Sequence, residues 1–420
     1  MKGWLFFLLG SIFFFPLPNL SAQDNTPIVF VHGFLGSGDN FSAQVQRFKQ
    51  MGYPDKALRV FDWNSLGARN GQNPALDSFV QVVLRENNAQ QIYLVGHSAG
   101  GGLGYAYAND SLRAKKLKGY VHIGSSAAKQ PAGARGEVPT LNLYSAGDKI
   151  AKSAPIPGAV NNALDNKDHF EVATSEESFR AMYRFFHGKE APLVEAVYKA
   201  QVFLSGKACT LGENIPLAGA TLRFYAIDLK TGKRKKEKPI TELTTDANGL
   251  WGPIKWSTNS AMEVHLLPAG TQRKVIYFLE APAQDNQLVY LRALPSSGMA
   301  ALLLAGLPAK DDQSVLAVFT SQRAVVAGRD SLVVNGQSLS LPDLAPASKT
   351  AIAQFLYDNG DRQSGGQKIP AFQAAPFLNG VDMFLDPAAA APLVVFYNGR
   401  NLKIPLRKSA SEGVMVLVLQ

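Results

Sequence analysis

Two regimes of hydrophobic patterning divide the chain. Up to about residue 190, short apolar runs alternate with stretches whose apolar residues recur at helical spacing. Pro27 to Val31, Leu58 to Phe61, Ile92 to Val95, Gly119 to Ile123 and Thr140 to Tyr144 are the runs, and they read as strands, Pro27 to Val31 as one buried on both faces. Between them, Phe41, Val45 and Phe48 predict a helix that Asp39 or Asn40 caps and Gly52 ends. Leu76, Phe79 and Val83 predict another, with Asn73-Pro74 as N-cap and first helical position. Phe179, Tyr183 and Phe186 predict a third, opened by a capping box in Thr174-Ser175-Glu176-Glu177. Strands alternating with helices imply βαβ units and a mostly parallel sheet. Ligands bind such sheets at the carboxyl ends of the strands.

Beyond Gly188 the pattern changes. Helical periodicity disappears, apart from a trace over Ser348 to Leu356, and strand-like runs such as Val275 to Leu279, Val315 to Phe319 and Val394 to Tyr397 take over. Asn-Gly pairs at Asn248, Asn335, Asn359, Asn379 and Asn398 punctuate them, and such pairs are strong hairpin signals. This half reads as all-β, divided near Pro295. Trp251 and Trp256 flank a hairpin and read as core or edge residues.

The chain has 420 residues, 46% of them hydrophobic and 18% charged, enough for two or three globular domains. A formal charge of +9 is modest for this length and no basic helix accompanies it, so no nucleic-acid partner is expected. The basic run Lys230 to Lys238 reads as a solvated hairpin loop, or else as an attachment to an anionic envelope or lipid surface. Lys2, the uncharged stretch Trp4 to Phe15, and Ser21-Ala22 have the layout of a secretory signal peptide cleaved after Ala22. The stretch is too short to span a bilayer, so no transmembrane segment is expected after its removal. Residues 1–22 are therefore the expected signal, and the protein is expected to be exported, periplasmic or extracellular. The single cysteine, Cys209, excludes an internal disulfide and a cysteine-based metal site.

The chemistry centres on Val95-Gly96-His97-Ser98-Ala99-Gly100-Gly101, a strand running into Gly-x-Ser-x-Gly and then a small-residue helix. A serine on so sharp a turn crowds side chains two positions either side, and Gly96 and Gly100 remove the crowding. His32-Gly33-Phe34 stands at the end of the first strand, where a second backbone donor to an oxyanion is supplied in this arrangement. Asp148 lies just past a strand in a glycine turn, and His169 lies in a loop before the capped helix. The order Ser98, Asp148, His169 is nucleophile, acid, base. Ser98 then attacks an acyl carbonyl, His169 relays the proton and Asp148 orients the imidazole. The Phe34 and Ala99 amides form the oxyanion hole. Asp62, also after a strand, is the main rival for the acid, with Asp165 and Asp168 ranked below it. His32 and His97 read as supports of their loops, His122 as a core histidine and His187 as a helix-end partner of the dipole. No His, Asp or Glu cluster has metal-ligand spacing, and this reaction needs no metal or cofactor.

From about Pro27 to Gly188 the sequence resembles the small secreted bacterial lipases and carboxylesterases of the α/β-hydrolase family. The likeness lies in Val29-Phe30-Val31-His32-Gly33-Phe34, in the segment around Ser98, in Ser145-Ala146-Gly147-Asp148, and in Pro157-Gly158-Ala159-Val160-Asn161 leading to His169. It implies hydrolysis of acyl esters, with Ser98, Asp148 and His169 as triad and Phe34 and Ala99 as oxyanion donors. The departure is at the base, where Asp168-His169-Phe170-Glu171 replaces the commoner Gly-His-apolar run. The linkers 124–139 and 149–164 leave no room for a cap domain and read as a small lid, an open acyl groove or plain connections. Pro216 to Leu222 and Thr244 to Trp251 resemble prealbumin-like or carboxypeptidase-regulatory β-sandwich modules.

The expected organisation is thus a signal peptide (1–22), a minimal α/β-hydrolase catalytic domain (23–190), a β-sandwich (197–295) and a C-terminal all-β domain (296–420). The leading function is a secreted serine carboxylic-ester hydrolase whose partner is an acyl ester or lipid. A polyester depolymerase or thioesterase on the same triad, and a surface-binding protein with a secondary hydrolase domain, are the alternatives.

Overall fold

In the computed structural model, which describes residues 25–67, 71–193, 198–270, 273–373 and 375–420, all five apolar runs lie in one sheet. The expected signal, 1–22, lies outside the described residues. The elements of the first half are β1 (Ile28–Val31), α1 (Ser42–Gln50), β2 (Leu58–Phe61), α2 (Gln72–Asn87), β3 (Ile92–His97), α3 (Ala99–Ala108), α4 (Ser111–Ala114), β4 (Leu117–Ile123), β5 (Thr140–Ser145), β6 (Val160–Leu164), α5 (Glu171–Thr174) and α6 (Glu176–His187). The strand order is β2-β1-β3-β4-β5-β6 and every neighbouring pair is parallel. Strand periodicity sorts the side chains between two apolar layers. Phe30 and Val95 face Phe48 of α1 and Phe179 of α6, whereas Val29 and Leu94 face Val80 of α2 and Tyr107 of α3. Each such fully buried side chain contributes about 1.5–3 kcal/mol.

The second half contains β7 (Gln201–Thr210), β8 (Thr221–Asp228), β9 (Lys233–Arg234), β10 (Thr241–Thr244), β11 (Leu250–Ser257), β12 (Ala261–Leu267), β13 (Val275–Leu279), β14 (Asn286–Ala293), α7 (Gly298–Leu303), β15 (Leu316–Thr320), β16 (Leu332–Val334), β17 (Gln337–Ser338), β18 (Ala353–Tyr357), β19 (Leu378–Asp382), β20 (Leu393–Tyr397), β21 (Arg400–Ile404) and β22 (Val414–Leu419). Among the described residues, one sheet runs β10-β8-β12-β13-β22-β15-β18-β19 with β9 beside β8. Strands from either side of Pro295 share it, because β22 lies between β13 and β15 and is parallel to both. The smaller sheet β11-β7-β14 packs on it through Val202, Trp251 and Trp256 against Phe224 and Val264. A third sheet, β17-β16-β20-β21, packs Leu332 and Val395 against Leu316 and Leu417.

Several local expectations shift. The polar residues before α1 form a 3-10 turn, Gly38–Phe41, so Phe41 and not Asp39 or Asn40 precedes the helix; Asn40 Oδ1 instead accepts from the Ser37 amide at 3.2 Å. Helix α2 begins at Gln72, with Asn73 and Pro74 inside its first turn, where proline's missing N–H has no partner to lose. Ser175, not Thr174, caps α6, its Oγ accepting from Ser178 N at 3.3 Å, while Glu177 pairs with Lys167. Val160–Leu164 of the linker 149–164 is the edge strand β6. The helical trace at Ser348 to Leu356 gives way to β18, because Phe355 and Leu356 serve opposite faces of a sheet. Asn335-Gly336 and Asn398-Gly399 are two-residue hairpin turns with positive φ, but Asn379-Gly380 lies inside β19. There Asn379 donates to Leu344 O at 2.7 Å, and a side chain at Gly380 would strike the Phe372 ring. Of the basic run, Arg234 turns inward to Glu263, whereas Lys235 stays exposed and bonds Ser260.

The two halves share a core and a polar seam. Cys209, Leu288 and Tyr290 of the β half complete the apolar layer that holds Ile28, Phe30 and Phe41. Beside them Asp62 meets Lys207 Nζ at 2.7 Å and the Tyr290 hydroxyl at 2.8 Å, and Arg292 binds Asp39 and Ser37. Burial alone would raise the Asp62 pKa, but Lys207, His32 and Tyr290 outweigh it and hold the carboxyl below its ordinary 3.8. In the β half, Glu263 is fully buried between His265, Arg234 and Arg407, which overcome its desolvation and lower it to about 2. Both groups have folded pKa values below their unfolded ones. Their stabilisation is therefore complete above about pH 5 and is lost as pH falls through the folded values. The midpoint of thermal unfolding should be level near neutrality and drop below about pH 4, and Glu263→Gln should make that drop shallower; a drop of undiminished steepness in the variant would show that Glu263 carries none of it.

Candidate active site

Ser98 is built by the meeting of β3 and α3. Its backbone sits at φ 54°, ψ −122°, outside the regions side chains favour, and neighbours hold it there. Ser98 N donates to Ile123 O at 2.9 Å, and Ser125 Oγ donates to Ser98 O at 2.8 Å. The glycines are required by contact. A Cβ on Gly96 would lie 2.5 Å from Gly100 O, and one on Gly100 would lie 2.3 Å from Val31 O. One on Gly33 would lie 2.9 Å from Ser98 Cβ, which places the loop after β1 directly against the serine.

Ser98, His169 and Asp148 are brought together although 71 and 21 residues separate successive members. Ser98 Oγ lies 2.9 Å from His169 Nε2, and His169 Nδ1 lies 2.8 Å from Asp148 Oδ2. The Nδ1–H donates to the carboxylate, leaving Nε2 free to accept from the serine. Asp148 Oδ1 accepts from the Ile150 and Ala151 amides at 2.9 and 3.0 Å. Burial pushes the Asp148 pKa up, but the hydrogen bonds from His169 and these amides win, and the carboxyl stays below its usual range. Such a carboxylate is charged at neutral pH and can stabilise an imidazolium beside it. The chain can therefore move a proton from Ser98 to His169 and activate the hydroxyl as a nucleophile.

The histidines flanking the serine have structural partners. His97 Nε2 donates to His169 O at 2.8 Å, and burial lowers its pKa to about 3, so it remains neutral. His32 is fully buried, which lowers its pKa, and its Nε2 accepts from Trp63 N at 3.2 Å. His122 meets Ser126 O and Tyr120, and His187 meets the Tyr53 hydroxyl. Asp62 is turned toward the β half and away from His169; Gly38 N, Lys207 and Tyr290 occupy it. Asp165 is exposed on a turn. Asp168 is buried and bonded to Arg329. Among the described residues, no group of three or more His, Cys, Asp or Glu could hold a metal ion.

The layout of a lipase-like domain followed by β domains resembles two-part microbial lipases in which the β part helps shape the substrate entrance, but the residues by which the β half does so here carry no mark in the sequence. Asn214 Nδ2 donates to Gly36 O at 2.8 Å, to Trp63 O at 3.1 Å and to His32 Nε2 at 3.2 Å, and so ties down the loop that bears Phe34. Arg292 holds Ser37 and Asp39 of the same loop. Phe377 stacks on the His169 ring, 5.6 Å between centroids and 13° between planes. Ile352 and Phe377 cover a cavity of only about 20 Å³ beside Ser98. Neither the linker 124–139 nor 149–164 lines it. A larger cavity of about 200 Å³ adjoins it between the halves, sharing Gly36, Asn40, Phe170 and Ile352 as wall. Leu204, Leu211, Met262, Leu279 and Phe319 make much of that wall apolar. No motif points to these residues, since each acts across hundreds of positions of chain.

Comparison with known proteins matches three segments. The family described as alpha/beta hydrolase fold matches residues 26–184, the lipase C-terminal domain matches 200–294, and a further C-terminal domain family matches 309–416. Solved structures similar to this chain include the mature lipase BlEst2 of Bacillus licheniformis, at 14% identity over 39% of this chain and 92% of that one, TM-score 0.32. A CIB-like hydrolase of Thermoplasma acidophilum is similar at 15% over 40% and 90%, TM-score 0.31. A bromoperoxidase of Bacillus anthracis is similar at 16% over 38% and 91%, TM-score 0.30. The first half of the chain is an α/β hydrolase. With its C-terminal β region the whole is a hydrolase of the lipase/esterase type.

Asn214→Ala removes the side-chain donor to Gly36 O and Trp63 O and one of the two donors to His32 Nε2, which should cost about 1–3 kcal/mol. Urea unfolding should register that loss. An unchanged midpoint would mean that the loop does not depend on the β half.

Proposed function

We propose that the protein is an exported serine carboxylic-ester hydrolase. The observation that carries this reading is the unbroken hydrogen-bonded chain from Ser98 Oγ through His169 to Asp148, at 2.9 and 2.8 Å. Ser98 Oγ attacks the acyl carbonyl as His169 Nε2 takes its proton. The tetrahedral oxyanion is received by the amides of Ala99, at the start of α3, and of Phe34, in the loop against Ser98. His169 returns the proton to the departing alcohol, and water then cleaves the acyl-enzyme by the same steps in reverse order. Each oxyanion donor is worth about 2.7–4 kcal/mol in the transition state.

The apolar part of the adjoining cavity's wall, Leu204, Leu211, Met262, Leu279 and Phe319, supports an acyl chain as the substrate's main contact. The small space beside Ser98, narrowed by Ile352 and Phe377 in its wall, weighs against an insoluble polyester, which needs an open groove across the serine. Each methylene buried in such a cavity adds about 0.8 kcal/mol, or about fourfold in kcat/KM, until the cavity is full. Chromogenic esters from acetyl to palmitoyl should therefore show kcat/KM rising from acetyl, reaching a maximum at medium length and falling for palmitoyl. Ser98→Ala should lose about 10⁴-fold or more in kcat against every member. Turnover that survives in Ser98→Ala would remove the assignment. Export rests on the composition of residues 1–22. Mass spectrometry of protein recovered outside the cytoplasm should read Gln23 as its first residue, and an intact leader there would contradict cleavage after Ala22.

A further inference from the structure

The charged residues around the base have a partner far away in the chain. Where the resembling lipases more commonly carry Gly-His and an apolar residue, this chain has Asp168-His169-Phe170-Glu171. Both carboxylates reach Arg329, which lies between β15 and β16. Arg329 Nη2 is 2.8 Å from Asp168 Oδ2, and Nη1 is 3.1 Å from Glu171 Oε2. The guanidinium is itself fixed by Asp330 at 2.8 Å and by Ala324 O at 2.5 Å. Ala324 N also donates to Asp168 Oδ2, at 3.1 Å. The other oxygen of Asp168 accepts from the Phe170 and Glu171 amides, each at 2.9 Å. Asp168 is 4% exposed, and its carboxylate thus takes four hydrogen bonds, two from its own loop and two from the β half.

We propose that Arg329 is a positioning residue for the base: through Asp168 it fixes the backbone from which His169 reaches Ser98 and Asp148. The inference rests on the reading of His169 as the base of a serine hydrolase. The adjacency carries it. Asp168 precedes His169 directly, while the ring itself contacts Ser98, Asp148, Phe377 and the His97 ring, and His97 also bonds the His169 carbonyl. Without Arg329 a buried carboxylate loses its cation and must turn outward or rearrange. Either movement displaces the adjoining imidazole, and a displacement of about 1 Å costs up to about 100-fold in rate. If Arg329 only glued the two halves together, its loss would lower stability and leave turnover by the folded fraction unchanged.

The test measures kcat and KM on one soluble ester for the full chain, below the unfolding midpoint of each variant. The variants are Arg329→Met, Arg329→Lys, Asp168→Asn and Ser98→Ala. Arg329→Met should lower kcat about 10- to 100-fold with KM unchanged. Arg329→Lys, which restores a cation to Asp168, should recover most of that loss. Should Arg329→Met fail to fold, Asp168→Asn decides, since it keeps the oxygen that caps its own loop while removing the charge Arg329 holds. A fall in kcat at constant KM in Asp168→Asn supports the proposal, and wild-type kcat in it overturns it. If Ser98→Ala abolishes turnover while Arg329→Met keeps wild-type kcat, the positioning role alone falls. If Ser98→Ala remains active, the serine-hydrolase reading falls and takes this role with it.

Discussion

Ser98 is held in a backbone conformation that costs on the order of 1–3 kcal/mol, and the structure around it exists to keep it there. The requirement propagates outward in steps. No side chain is possible at Gly96, Gly100 or Gly33, so β1, β3 and α3 approach to within backbone contact. That approach needs a sheet whose central strands are apolar on both faces, which is why Val29, Phe30, Leu94 and Val95 alternate between two cores. It also needs the amide of Ser98 to be bonded outside the helix it begins, and Ile123 at the end of β4 supplies that bond, while Ser125 adds a further donor to a carbonyl that already accepts from the Gly101 and Gly102 amides.

The sheet, the elbow and the order of the three polar residues were legible because each leaves a local mark. Apolar runs, paired glycines and an aspartate after a strand are written within a few positions of one another. The support of the site was not legible, because it consists of pairs that meet only after folding. Asn214 with Gly36, Arg292 with Asp39 and Phe377 with His169 are separated by 178, 253 and roughly 200 residues. The one local trace was negative: Asp168 and Glu171 stood out as misfits beside the base. Element ends moved for similar reasons. Asn40 is turned back to its own loop, and Asn379 found a buried carbonyl in place of a turn.

Asp62 and Asp148 make the same point from opposite sides. Both are buried carboxylates just beyond a strand of one sheet, and both are held below their ordinary pKa against a desolvation cost. What separates them is the partner. Asp148 faces an imidazole that leads to the serine, whereas Asp62 faces a lysine and a tyrosine of the β half. Position after a strand selects candidates for an acid, and the neighbouring chain selects among them. Cys209, Leu288 and Tyr290 fill its apolar layer and Ile352 lines the space beside its serine, so the hydrolase half shares both a core and a site wall with the β half.

The place of β22 sets a schedule for biosynthesis. It is flanked by β13 and β15, both of which precede it by roughly a hundred residues or more, and it is parallel to each. Until β22 is in place, β13 and β15 each lack a partner along one edge, and the two edges have the same apolar character and the same direction. Ile276 and Phe278 on one side, and Leu316 and Val318 on the other, must be kept from pairing with each other or with another chain until Met415 and Leu417 arrive between them. Closure of this sheet thus depends on the strand that follows all its neighbours in the chain, and a chain that stops short of it keeps two open, aggregation-prone edges.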